Sequence, residues 1–254
     1  MSHPILYCGD TELTSAASYL AGLMTYAGWE FDYVPSHQPL TREIVATPRK
    51  LFIFSDYPAA QAATELQAVV VAQVAGGAGL LMIGGWESFH GLGGDWDGTP
   101  VGNVLGVTIA AVDDRQNSFS PAMLVPEGEA VAHPILQGLP WTERPAFVGG
   151  WNHVRVGQAQ ALLTIRQFGD CRLTEEGTLM GQRTLDSPGL TVHTHGDGRA
   201  ATFLSDVAPH WVGGFVDWGD ARVTDQAPGA PAIEVGNWYA QFWSQLLAWT
   251  GRLA

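Results

Sequence analysis

The sequence predicts an α/β protein built on a mainly parallel sheet, with a β-rich extension in its second half. Three observations carry this prediction. Short continuous apolar runs, PILYC (4–8), LFIF (51–54) and LLMI (80–83), read as strands covered on both faces. Segments of helical periodicity separate them, at the spacing of strand–helix–strand units. From Asp95 onward the pattern changes to short strands joined by Gly- and Pro-rich turns.

In order along the chain, Pro4 to Cys8 is the first strand, closed by Gly9-Asp10. Ala17, Leu20, Ala21, Met24 and Ala27 recur at helical spacing, so Thr14 to Ala27 is predicted as a helix with Gly28 as its stop. Glu30 to Val34 is a second strand ended by Pro35, and Thr41 to Pro48 has room for a short helix. Leu51 to Phe54 is the third strand, with Ser55-Asp56 at its carboxyl end. Gln61 to Val74 is the second long helix, and Leu80 to Ile83 the fourth strand.

Beyond Asp95, Val101 to Val112 reads as a short helix and then a strand. Phe147 to Val156, Ala161 to Ile165, Leu190 to His193 and Ala200 to Leu204 are further strands. The last two are joined by Gly196-Asp197-Gly198, the chemistry of a hairpin turn. Asp206 to Gly219 reads as a loop and Val223 to Gly236 as irregular chain. Trp238, Phe242, Leu246 and Trp249 set the face of a closing helix between Glu234 and Leu253. Without repeats or a low-complexity linker, one domain is the simplest account.

Composition narrows the partners. The 254 residues are 46% hydrophobic, enough for a large core. Net charge is −13 with 12 basic residues, which disfavours nucleic acid and anionic membrane surfaces as partners. The start, MSHPILYCGD, has neither the basic region nor the apolar core of a leader, and Cys8 and Cys171 fit a reducing compartment. A cytoplasmic protein is expected. Its expected partners are a small molecule and further copies of itself.

Ligands of open α/β sheets bind at the carboxyl ends of the parallel strands. That rule gathers four loops: Cys8 to Asp10, Ser55 to Tyr57, Gly84 to His90, and Ser205 to Trp211. They carry Asp10, Asp56, Glu87, His90, Asp206 and His210, groups suited to acid–base work. Glu87, His90, Asp206 and His210 are the candidate catalytic residues. Asp10, Asp56, Gly84, Gly85, Trp86, Ser88, Asn152 and Trp211 are the candidate ligand contacts.

Each candidate also has a structural reading. Gly84-Gly85 is a tight turn, or a nest of N–H groups for an anion, or both. Glu87 and Ser88 suit a helix start, or Ser88 is a nucleophile with His90 as its base. Asp206 and His210 are an orienting acid and its base, or parts of a packed aromatic loop. Of the ten Trp residues, Trp238 and Trp249 belong to the core or an oligomer face, while Trp86, Trp96, Trp151, Trp211 and Trp218 pack long loops or stack on a flat ligand. His193 and His195 share one strand face, a spacing open to a metal, but the turn after them favours a solvent-facing hairpin. No cofactor and no metal ligand is assigned.

One family pattern runs through these pieces. The strand ending in Ser55-Asp56, GGAGLLMIGGWESFHGLGG (76–94) and GTPVGNVLGV (98–107) resemble the glutamine amidotransferase-like (GATase1-like) family of bacterial proteins. So do Gly149-Gly150-Trp151-Asn152, the block Gly198-Arg199…Ser205-Asp206…Pro209-His210-Trp211, and the closing Trp238-Tyr239…Phe242-Trp243…Trp249. The resemblance covers nearly the whole chain in order. It implies the class I glutamine amidotransferase-like superfamily and a flavodoxin-like three-layer α/β/α sandwich. Class I amidotransferases hold a Cys nucleophile at a sharp turn after a strand, with a downstream His and Glu. The corresponding turn here, Ile83 to Glu87, contains no Cys. The expectation is therefore a small polar ligand at the strand ends, handled without a thiol. The alternatives are a hydrolase or isomerase of a sugar-like molecule, or an oligomeric scaffold.

Overall fold

A computed structural model describes residues 3–254. Met1 and Ser2, part of the stretch read above for a leader, lie outside the described residues. The first third matches the expected alternation: β1 (Ile5–Gly9), α1 (Ala17–Tyr26), β2 (Phe31–Val34), α2 (Arg42–Ala46), β3 (Leu51–Ser55), α3 (Thr64–Ala75) and β4 (Gly79–Ile83). The predicted helix from Gln61 is split. A 3₁₀ turn covers Ala59–Gln61, and α3 starts only at Thr64.

Next come α4 (Pro100–Asn103), β5 (Val107–Thr108), β6 (Arg115–Asn117), β7 (Ala122–Pro126), β8 (Ala146–Phe147), β9 (Gly150–Asn152) and β10 (Arg155–Val156). The long strands β11 (Gln160–Leu173) and β12 (Leu179–His195) follow, then β13 (Gly198–Phe203) and α5 (Pro209–Val212). The chain closes with β14 (Arg222–Asp225), β15 (Ile233–Gly236) and α6 (Asn237–Gly251).

Nine strands form one sheet in the order β2-β1-β3-β4-β13-β12-β11-β7-β8. β2, β1, β3, β4 and β13 run parallel. From β13 outward every pairing is antiparallel. The molecule is thus α/β with a mixed sheet, parallel on one side and antiparallel on the other. β1, β3 and β4 are buried at every residue, as continuous apolar strands require.

Helices cover both faces of the parallel part. A Cβ at Gly79 would meet the backbone of Thr250 in α6, and one at Gly198 would meet the backbone of Val74 in α3. Arg199 pairs in register with Gly79, so Gly198 points the other way. α6 and α3 therefore lie on opposite faces. Tyr239, Phe242 and Trp243 of α6 join Phe203 and Phe215 in an aromatic cluster with ring centroids 5.0–6.0 Å apart.

Two expectations are corrected. Residues 223–236 are irregular only over 226–232: β14 and β15 on either side pair as an antiparallel ribbon. β11 and β12 extend far past the predicted 161–165 and 190–193, into residues with no apolar alternation. That outer part is held by its hairpin ladder and not by core burial, so hydrophobic pattern could not reveal it. Among the described residues, no helix is long and apolar enough to cross a membrane.

Candidate functional site

The carboxyl ends of β1, β3 and β13 bring three aspartates together. Asp10 follows β1 and is buried. It receives the Tyr7 hydroxyl on Oδ2 and the Ser55 hydroxyl on Oδ1 (3.0 Å). Burial, then repulsion by Asp56, pushes its carboxyl up to about 8, against the lowering effect of those two hydroxyls.

Asp56 follows β3. Its Oδ1 accepts the Glu87 N–H at 2.7 Å, which ties the β3 loop to the β4 loop. Desolvation moves its carboxyl up to about 6, and the backbone N–H groups of Glu87 and Trp86 oppose the shift. Asp10 and Asp56 both have left-handed backbones, φ 52° and 45°. Aspartate tolerates this conformation better than most residues, so the turns that present these carboxylates are built around their own side-chain type.

Asp206 follows β13 and is fully buried. Its Oδ1 accepts the N–H groups of Val207 (2.6 Å) and Ala208 (3.0 Å). Its Oδ2 has no hydrogen bond. His210 Nε2 lies 3.2 Å from that oxygen but without the alignment of a hydrogen bond. Burial first, then Asp10 and Asp56, hold the Asp206 carboxyl well above the usual range. The half-exposed His210 is shifted down by its partial desolvation. Asp56, Asp206 and His210 each offer one ligand atom within 4.8 Å of the others.

The β4 turn sits beneath them. A Cβ on Gly85 would fall 2.1 Å from Asp56 Oδ1, so the carboxylate occupies the space that glycine leaves. The N–H of Gly84 donates to Phe203 O (2.8 Å) and Ser205 O (3.0 Å), and that of Gly85 to Asn152 Oδ1 (2.9 Å). The anion nest considered from sequence is thus filled by the protein's own acceptors. Glu87 lies half-buried beside Asp56, and burial raises its carboxyl.

Other candidates turn away from this point. Residues 84–98 form turns with no helix, so Glu87 and Ser88 cap nothing. Ser88 Oγ accepts the Asp56 N–H (2.9 Å). His90 Nδ1 is 2.8 Å from Asp97 Oδ1, so its partner is Asp97, not Ser88. Asn152 is buried and donates to Asp114 Oδ1 (2.8 Å), which clamps β9 to the β4 loop. Trp211 is not a free stacking platform. It is buried, and its indole N–H donates to Asn117 Oδ1 (2.7 Å). Trp86 is exposed, but the Arg115 guanidinium lies over its ring at 4.5 Å.

Sequence reasoning passed over Tyr7, Asp114 and Arg115. Tyr7 read as a core strand residue, and only the β1 turn brings Asp10 back onto its hydroxyl. Asp113-Asp114-Arg115 matches no motif in the sequence. In the fold, Asp114 is buried and accepts the N–H groups of His90 (3.2 Å) and Gly91 (2.9 Å). Of the two cysteines, Cys8 is buried in β1 with its thiol pushed up by desolvation, and Cys171 lies near the far end of β11.

The fold and this cluster define an α/β protein with its polar residues gathered at the carboxyl ends of a parallel sheet. The family described as "Putative glutamine amidotransferase" matches residues 53–251, and the chain belongs to that family. Two solved structures from Salmonella typhimurium share the fold over nearly its whole length. Cytoplasmic Protein STM3548 is 19% identical with a TM-score of 0.72, covering 97% of this chain and 98% of its own. Cytoplasmic Protein STM1381 from strain LT2 is 23% identical with a TM-score of 0.71 and the same coverage, 97% and 98%. No curated protein matches the sequence.

Proposed function

We propose that this chain binds a small polar ligand at the carboxyl ends of β3, β4 and β13, through Asp56, Glu87, Asp206 and His210 and without a cysteine nucleophile. The observation that carries the reading is the convergence of Asp56, Asp206 and His210 within 4.8 Å. Two segments far apart in sequence, the end of β3 with Asp56 and the stretch after β13 with Asp206 and His210, supply polar groups to one point, and His210 keeps it open to solvent. The fold reading behind it is a flavodoxin-like three-layer α/β/α unit. The parallel order β2-β1-β3-β4-β13 and the helices on both faces support it, as does its binding rule at the strand ends. The thiol is left out because the β4 turn carries Gly84-Gly85-Trp86 and Cys8 is buried.

Acid–base catalysis on such a ligand is the second reading. It is favoured by the Asp56 carboxyl, moved up to about 6, and by the raised Glu87 beside it, since groups titrating near neutrality exchange protons efficiently. A cytoplasmic setting is supported by the names of the two Salmonella proteins. Homo-oligomer formation is supported by exposed Leu173, Leu179 and Met180 on the β11–β12 arm, and light scattering would read it as a multiple of 27.2 kDa.

The test is a thermal-shift screen with sugars, sugar acids and small amides, on EDTA-treated and untreated chain. A hit should raise the Tm of the wild type and of Cys171→Ser alike. It should lose its effect in His210→Gln and Glu87→Gln. A hit that shifts those two variants as much as the wild type would place the ligand elsewhere and overturn the proposal.

A further inference from the structure

We infer that Asp56, Asp206 and His210 hold a divalent transition-metal cation of the Zn²⁺ or Mn²⁺ class. This inference rests on the reading of these loops as a binding site and names an occupant for it.

Proximity of the three groups is the first observation. The second is independent of it. Asp206 is fully buried, two backbone N–H groups satisfy its Oδ1, and its Oδ2 has no hydrogen bond although it faces the cluster. A buried carboxylate oxygen without a partner is costly, and such an atom calls for a missing one.

The relation of His210 to that oxygen says what kind of partner. Nε2 and Oδ2 are 3.2 Å apart yet not aligned as donor and acceptor. Two ligand atoms on one tetrahedral cation, each about 2.0–2.1 Å from it, sit about 3.3 Å apart with their lone pairs aimed at a third point. The observed pair has that spacing. Asp56 completes the set from the end of β3, across β4 from β13, its Oδ1 braced by the Glu87 N–H. Bracing of this sort orients metal-binding carboxylates.

The donor set selects the metal class. Two carboxylate oxygens and one imidazole nitrogen suit Zn²⁺, Mn²⁺ or Fe²⁺, whereas Ca²⁺ and Mg²⁺ prefer all-oxygen shells. Three protein ligands also leave a position for water or for an oxygen of the polar ligand, on the side where His210 meets solvent.

The experiment uses the full chain, stripped with EDTA, desalted and titrated with ZnCl₂ by calorimetry. Bound metal is then counted by mass spectrometry after gel filtration. Wild type should retain about one Zn²⁺ per chain. Asp206→Asn and His210→Gln should each weaken binding by at least about 100-fold, the upper end of what loss of even an outer partner costs. His193→Ala, on β12 opposite Ala200 near the start of β13, should retain it. His210 is half-exposed, so its variant tests the site without threatening the fold, and circular dichroism checks both variants. Wild-type binding no stronger than that of the two variants overturns the cation site. So does loss of binding in His193→Ala. Either result leaves the ligand screen on EDTA-treated chain to stand by itself. A chain that takes Zn²⁺ but none of the polar compounds overturns the ligand reading alone.

Discussion

Asp10 shows how one buried side chain can set a pH response. Tyr7, Tyr33, Ser55, Asp56 and Asp206 surround it, and its carboxyl stands near 8 in the fold against 3.8 ordinarily. Between those values the folded chain binds the proton and the unfolded chain does not. Stability therefore falls as pH rises from about 4 to about 8. Asn at this position keeps partners for both hydroxyls and carries no charge. The Tm of Asp10→Asn should match that of wild type near pH 4 and exceed it increasingly toward pH 8.5; parallel melting curves would refute this. Gly85 gives a second residue-level test. Its Cβ would meet Asp56 Oδ1 at 2.1 Å, so Gly85→Ala should cost about 1–3 kcal/mol by chemical denaturation, the usual range for overpacking, and should move the carboxylate. The acids at strand ends were legible in sequence because topology places strand ends. Their protonation was not, because it depends on which other carboxylates the fold brings near.

At the scale of elements, the β4 turn is organised from a strand that follows it by more than sixty residues. Asn152 of β9 accepts from Gly85 N–H and donates to Asp114, holding the β4 loop and the segment before β6 in one register. Asn152→Ala leaves a buried N–H and a buried carboxylate short of partners and should cost about 1–3 kcal/mol in denaturant titration. A variant within 0.5 kcal/mol of wild type, roughly the spread of neutral surface changes, would show that water replaces the amide without loss. Gly149-Gly150-Trp151-Asn152 is visible as a motif, and the sequence places Asn152 among the ligand contacts. Its role is a brace, because both ends of its amide are already engaged. Trp211 changed role in the same way: its indole N–H is directed inward to Asn117. Side-chain direction is settled by neighbours that periodicity does not name.

For the whole molecule, the sheet divides into a parallel part that carries the candidate site and an antiparallel part that ends in a long arm. Residues 170–181 of that arm include exposed Leu173, Leu179 and Met180, and none of the twelve is fully buried. Gly169 and Gln182 face each other across the ladder. Replacing 170–181 with Asn-Gly, a favoured two-residue turn, should leave Tm within about 4 °C, the equivalent of roughly 1 kcal/mol at this size. Aggregation or a larger drop on heating would mean that the arm supports the core. The sequence by itself determined the parallel core and the loops at its carboxyl ends, because buried strands must be apolar and helices between parallel strands must be periodic. It also determined that the β4 turn has no cysteine. Only the tertiary structure decided that β13 completes the parallel set, so that Asp206 arrives beside Asp56, and that His210 faces an oxygen with no other partner. The first depends on contacts between residues more than a hundred positions apart, and the second on the burial that leaves Asp206 Oδ2 no other partner; local pattern records neither.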